Sequence, residues 1–231
     1  MVEILPALLS KKFDELAEEL ERVAGTARMV QIDVVDGAFA PNKSWPYGDE
    51  ARFERICLGD EGLPFWDQLD FQFDLMLEHP ERQVRQFIDA GAQGIVLHAG
   101  SQGAREAAQE LFENNEQVGE DFHIPVGIAL SCGAAAEELE PFVDFCDFVQ
   151  VMGIEKIGFQ GQPFDERALA LVGELAARYP ELLIQVDGGV SLKNIRALAR
   201  AGASRFVCGS DLLNAPDMAA EYRALFAEAN K

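Results

Sequence analysis

The stretch Val30-Gln31-Ile32-Asp33-Val34-Val35-Asp36-Gly37 reads as a buried strand running into a glycine turn. Its β-branched residues favour an extended chain. Alternation puts Val30, Ile32 and Val34 on one face and Gln31, Asp33 and Val35 on the other. A buried carboxylate is costly unless something pairs with it. Asp33 is therefore either satisfied by its neighbours or placed for chemistry. In α/β folds, chemistry gathers where strands end in glycine-containing turns.

Working outward, the same kind of apolar run recurs along the chain. Strands are expected over Glu3–Leu9, Phe71–Leu77, Gly94–His98, Pro125–Leu130, Phe145–Met152, Leu182–Asp187 and Arg205–Cys208. Helical spacing lies between them. Phe13–Ala24 carries Phe13, Leu16, Leu20 and Val23 on one face. Further helices are expected over Glu50–Cys57, Pro80–Ala90 (stopped by Gly91), Ala104–Asn114, about Ala134–Leu139, and Asp165–Tyr179 with Asp165 as cap. Ser191 caps another that runs to Ala201, and Pro216–Ala229 is the last. Glu50–Cys57 breaks up a long connection, Ala38–Leu69, rich in Pro, Gly and aromatic residues. Eight strand–helix units with short links give an α/β fold, a (β/α)8 TIM barrel, over residues 1–231 as one domain.

Composition agrees with one sizeable core, since 48% of the 231 residues are hydrophobic. No stretch is long and apolar enough to span a membrane, and the N-terminus lacks the basic flank of a signal peptide. The expected location is the cytoplasm. Cys57, Cys132, Cys146 and Cys208 are scattered without a CxxC pair, so they read as reduced thiols. A formal net charge of −21 argues against nucleic acid or an anionic membrane surface as partner.

Closing the barrel turns Gln31, Asp33, Asp74, His98, Gln150, Met152 and Asp187 inward near the C-terminal strand ends, where barrel active sites lie. Packing alone would fill that interior with Val, Ile, Leu and Ala. Three carboxylates and an imidazole point instead to function, with Asp33 and Asp187 foremost. Three glycine turns follow the last strands: Gly158 with Gln160 and Gly161, Gly188-Gly189, and Gly209-Ser210. Glycine lets backbone N–H groups approach an oxyanion closely, so this rim reads as a phosphate site.

These residues carry a family resemblance. Over nearly its whole length the chain resembles ribulose-phosphate 3-epimerases, a barrel of the ribulose-phosphate-binding type. The matching segments are Leu5-Pro6-Ala7-Leu8-Leu9-Ser10, Asp33 to Gly37 through Pro41-Asn42, Asp74-Leu75-Met76 with Pro80-Glu81, and Leu97-His98-Ala99. Gly127–Leu130, Gly158–Gln162, Val186-Asp187-Gly188-Gly189-Val190 and Gly209-Ser210 complete the set. The resemblance implies an isomerase that interconverts D-ribulose 5-phosphate and D-xylulose 5-phosphate, or a related ketose phosphate. Asp33 and Asp187 would pass protons to and from opposite faces of an enediolate. Met76, Met152, His98 and Ser10 would touch the phosphorylated sugar. Family analogy also implies a homo-oligomer.

In that family a divalent metal is held by two histidines and two aspartates, but here Gln31 and Asp74 stand where the histidines are expected. Ala7 replaces a serine, Val35 a methionine, and the loop Glu155-Lys156-Ile157-Gly158 is one residue longer. The remaining set, Asp33, Asp187, Asp74 and Gln31, offers oxygen and suits Mg²⁺ or Mn²⁺ better than Zn²⁺. The alternative is no metal, with Lys156 or water compensating the charge. Two other functions stay open. One is a phosphosugar-binding barrel without turnover. The other is a lyase of the same superfamily, which the missing Asp-x-Lys-x-x-Asp pattern disfavours.

Overall fold

The alternation that begins at Val30 is repeated around a closed ring. In the computed structural model, which describes residues 2–118 and 122–231, eight parallel strands pair in the order β1 to β8, and β8 closes on β1. They are β1 (Glu3–Leu8), β2 (Met29–Val35), β3 (Asp70–Met76), β4 (Gly94–His98), β5 (Val126–Leu130), β6 (Phe148–Met152), β7 (Leu183–Asp187) and β8 (Arg205–Cys208). Outside lie α1 (Phe13–Val23), α2 (Glu50–Cys57), α3 (Val84–Asp89), α4 (Ala104–Val118), α5 (Arg167–Arg178), α6 (Ile195–Ala201), α7 (Ser210–Leu213) and α8 (Met218–Ala229). The (β/α)8 barrel expected from the sequence is the fold observed.

The main core lies between sheet and helices. Val30, Ile32 and Val34 on β2 join Leu16, Leu20 and Val23 of α1 in it. Trp45 packs there too, edge-on to Phe53 with ring centroids 5.4 Å apart, so it belongs to the outer core and not to the cavity described below. Residues on the inward face form separate, smaller apolar groups, such as Val96, Ala129, Phe148 and Met152. At the N-terminal end of the barrel the Arg205 guanidinium lies over the Phe148 ring and pairs with Glu3 at 2.8 Å. Gly127 makes room for that ring, since a Cβ there would come within 2.3 Å of it.

Some element boundaries differ from the sequence reading, each for a local reason. Pro80–Ala90 is not one helix but a 3₁₀ turn over Pro80–Arg82 followed by α3. Pro141, which cannot donate a helical hydrogen bond, sits inside a 3₁₀ segment, Ala136–Phe145, which shortens β6 at its start. The last helix begins at Met218 because the Asp217 side chain caps it by accepting from Ala220 N. Gly209-Ser210 leads into the short α7.

Candidate active site

The backbone around Asp33 is fixed at the C-terminal end of its strand. Ser44, in the loop after β2, donates its hydroxyl to Asp33 O at 2.7 Å and accepts from Val35 N at 2.9 Å. The neighbouring Trp45 N donates to Ser10 O at 2.9 Å. The loop is thus wedged between the ends of β1 and β2. Asp36 organises the next turn: it accepts from Ala38 N, Phe39 N and, across to the loop after β3, Glu78 N. Asn42 then reaches Gly158 O at 2.8 Å, and Gln160 donates to Ala7 O at 2.9 Å. The loop after β6 is therefore tied to the ends of both β1 and β2.

These ties frame a cavity of about 420 Å³ at the C-terminal end of the barrel. Asp33, Met76, Met152 and Asp187 line it, as do Gly158, Gln160, Gly161, Gly188, Gly189, Gly209 and Ser210. Eleven of the residues singled out from the sequence thus share one cavity. The glycine turns have the backbone that glycine permits: φ is 98° at Gly188 and 67° at Gly189, and a Cβ on Gly189 would come within 2.9 Å of Phe164 N.

Beneath the floor lies a buried polar layer. Asp33 on β2 and Asp74 on β3 are register partners, and Met152 on β6 neighbours Asp187 on β7. Asp33, Asp74 and Asp187 each offer an oxygen, all within 4.8 Å of one another. Gln31 Nε2 donates to Asp33 Oδ1 and to Asp187 Oδ2, each at 2.9 Å, with Asp74 Oδ2 at 3.4 Å. Gln150 Nε2 donates to Asp74 Oδ2 at 2.9 Å. Gln31 Oε1 faces the other way and accepts from Gln72 at 2.8 Å and Gln185 at 3.2 Å. Burial raises the pKa of both Asp33 and Asp187. Neighbouring charge adds to this, from Asp187 and Asp74 at Asp33 and from Asp74 at Asp187. A buried carboxylate without a cation favours its proton.

Three residues expected at the ligand are placed differently. Ser10 turns its hydroxyl outward to Glu19 Oε2 at 2.5 Å and does not line the cavity. His98 does not line the cavity: it is buried, with Nε2 2.8 Å from Asp74 Oδ1 and its ring against Phe39. Gln31, named as an oxygen ligand for a metal, presents its nitrogen to the acids because two other glutamines hold its oxygen. Lys156 lies in an adjoining depression with Glu155.

Sequence reasoning missed Lys193 and Asn194, which line the cavity just beyond the Gly188-Gly189 turn. Their position close after Val186-Asp187-Gly188-Gly189 was the available signal. It also left Gln185 without a role, although inward alternation with Asp187 placed it in the same interior.

A family model described as "Ribulose-phosphate 3 epimerase family" matches residues 3–213. Ribulose-phosphate 3-epimerase of Aquifex aeolicus is 27% identical over 233 residues, covering 96% of this chain and 94% of that protein. That of Schizosaccharomyces pombe is 33% identical over 214 residues, covering 92% and 87%. Among solved structures, a 3-hexulose-6-phosphate synthase superposes with a TM-score of 0.68 at 18% identity, covering 98% of this chain and 99% of the other. At that identity the likeness is one of fold.

Proposed function

The chain belongs to the ribulose-phosphate 3-epimerase family of carbohydrate-phosphate epimerases, and on that premise we propose that it interconverts D-ribulose 5-phosphate and D-xylulose 5-phosphate. The observation that carries this reading is the pair Asp33 and Asp187. Both line one cavity, they rise from different strands, and both have raised pKa values. An epimerase of this type needs one carboxylate and one carboxylic acid. The ionised member takes the C3 proton, leaving an enediolate over C2 and C3. The protonated member gives its proton to the other face of C3. The pair ends with its protonation reversed, ready for the opposite direction or for exchange with water. Raised values suit a pair that shares one proton near neutral pH.

Met76 and Met152 give the sugar an apolar, adaptable wall. The glycine turns at 158–161 and 188–189, with Gly209 and Ser210, offer the phosphate backbone N–H groups and a hydroxyl.

The buried acids also fit a divalent cation. Three carboxylate oxygens within 4.8 Å make a hard, oxygen-only set, which favours Mg²⁺ or Mn²⁺ over Zn²⁺. Asp33, Asp74 and Asp187 would hold it, and Gln31 could join only by turning its amide. Such an ion would neutralise the acids and stabilise charge developing on the substrate oxygens. Without one, Gln31 Nε2 serves the acids as a neutral donor.

That orientation of Gln31 also favours a second reading, phosphosugar binding without turnover. We further read the protein as cytoplasmic and as an assembly of identical chains; fractionation and sedimentation would test these two points. Among the described residues no helix is long and apolar enough to cross a membrane.

The deciding experiment is solvent deuterium entry into C3 of ribulose 5-phosphate, with Mg²⁺ or Mn²⁺ supplied. Label at C3 together with xylulose 5-phosphate supports the epimerase. Tight binding with no label on any ketose phosphate tried supports the second reading.

A further inference from the structure

We propose that Lys193 carries the positive charge for the substrate's phosphate and so sets the preference for phosphorylated ligands. This rests on the reading of the cavity as a phosphosugar site. The charged residues lining that cavity are Asp33, Glu166, Asp187, Asp211 and Lys193: four acids and one base. A phosphate monoester brings about −1.5 to −2 more, into a chain whose own formal charge is −21. Backbone N–H groups offer only partial charges, so a dianion among acids needs a full cation close by.

Among the described residues no other basic side chain lines the cavity. Arg167 pairs with Asp165 at 2.6 Å and reaches Glu155 at 3.6 Å. Lys156 lies in the adjoining depression beside Glu155, and Arg205 is bound to Glu3 at the far end of the barrel. Lys193, like Lys156, makes no ion pair with any described residue. Its backbone is braced to the glycine turn that would hold the phosphate. Asn194 Nδ2 donates to Gly189 O at 2.9 Å, Asn194 Oδ1 accepts from Ser191 N at 2.9 Å, and Lys193 N approaches Ser191 Oγ at 3.4 Å. The turn is fixed while the side chain is exposed. A compact ammonium on a flexible stem can then settle on whichever phosphate oxygens the N–H groups leave free.

The test compares wild type, Lys193→Gln, Lys193→Arg and, as control, Lys156→Gln. Two readouts are used: steady-state kinetics on ribulose 5-phosphate, and calorimetric affinity for inorganic phosphate. We expect Lys193→Gln to raise KM and weaken phosphate binding on the order of tenfold, with a smaller change in kcat. The salt dependence of KM should flatten. Lys193→Arg should keep most of the affinity, and Lys156→Gln should match wild type. Unchanged phosphate affinity and salt dependence in Lys193→Gln would overturn the proposal, as would a wild type that binds no phosphate. If wild type turns over no ketose phosphate, the epimerase reading fails instead, and phosphate affinity alone then decides the role of Lys193.

Discussion

Gln31 donates its amide to Asp187 at 2.9 Å across the barrel interior, although 156 residues separate the two in sequence. The same nitrogen reaches Asp33 at 2.9 Å, so one neutral side chain bridges both acids of the candidate site. Removing it takes a donor from two buried carboxyl groups and the acceptor from Gln72, while Gln185 keeps Gln150. Each such loss costs about 1–3 kcal/mol. Gln31→Leu should therefore destabilise the protein by roughly 3 kcal/mol or more in urea unfolding. A loss under about 1 kcal/mol would mean that the network contributes little.

The acid set proposed to hold a divalent cation offers oxygen atoms alone. Gln31→His together with Asp74→His would supply two imidazoles beside Asp33 and Asp187. That variant should bind Zn²⁺ at least about tenfold more tightly than wild type, as read by titration calorimetry and by metal content after dialysis. Equal zinc affinity in the two proteins would contradict the view that residues 31 and 74 select the ion.

Much of this was legible in the chain. Barrel topology followed from eight apolar runs separated by helical spacing, because each strand's outward face had to meet a helix. The cavity residues followed from the rule that strand ends and glycine turns share one rim. Side-chain partners on other elements of the fold were not legible. Ser10 sits beside the rim in sequence, yet Glu19 on α1 draws its hydroxyl away. His98 lies on the inward face, but it bonds Asp74 one strand over and does not line the cavity. Gln31 was read as an oxygen ligand, since nothing local reveals that Gln72 and Gln185 fix which end of its amide meets the acids.

Asp33 and Asp187 carry the proposed proton transfers, and neither is replaceable by a group that cannot hold a proton. Asp33→Asn and Asp187→Asn keep the shape and an oxygen acceptor for Gln31. Each should lower kcat on the order of 10²–10⁴-fold and abolish deuterium entry at C3, with little change in phosphosugar affinity. A variant that loses affinity and retains turnover would reassign that residue to binding.

Gly189 has φ 67°, and a Cβ there would lie 2.8 Å from Phe164 Cα. Gly189→Ala therefore combines left-handed strain of about 1–2 kcal/mol with a backbone collision. It should raise KM more than it lowers kcat, because the turn it displaces lines the proposed phosphate site. Kinetics alongside thermal unfolding separate this from general destabilisation: a variant with lowered Tm and unchanged KM would argue against a ligand role for the turn.

The acids also make stability depend on pH in a direction opposite to the usual carboxylate. Burial and mutual repulsion raise the native pKa of Asp33 and Asp187. An unfolded aspartate releases its proton near about 3.9. Between that value and the raised native one, the native state holds protons that the unfolded chain has lost, so stability falls as pH rises. Each unit of upward shift contributes about 1.4 kcal/mol to the decline. With a chelator present, Tm should drop between about pH 5 and about pH 8, and Asp187→Asn should flatten the profile. Added Mg²⁺ or Mn²⁺ should restore Tm most at the alkaline end, where the acids are ionised and able to bind it. A chelated wild type whose profile matches that of Asp187→Asn would show that the two acids are not held against their charge.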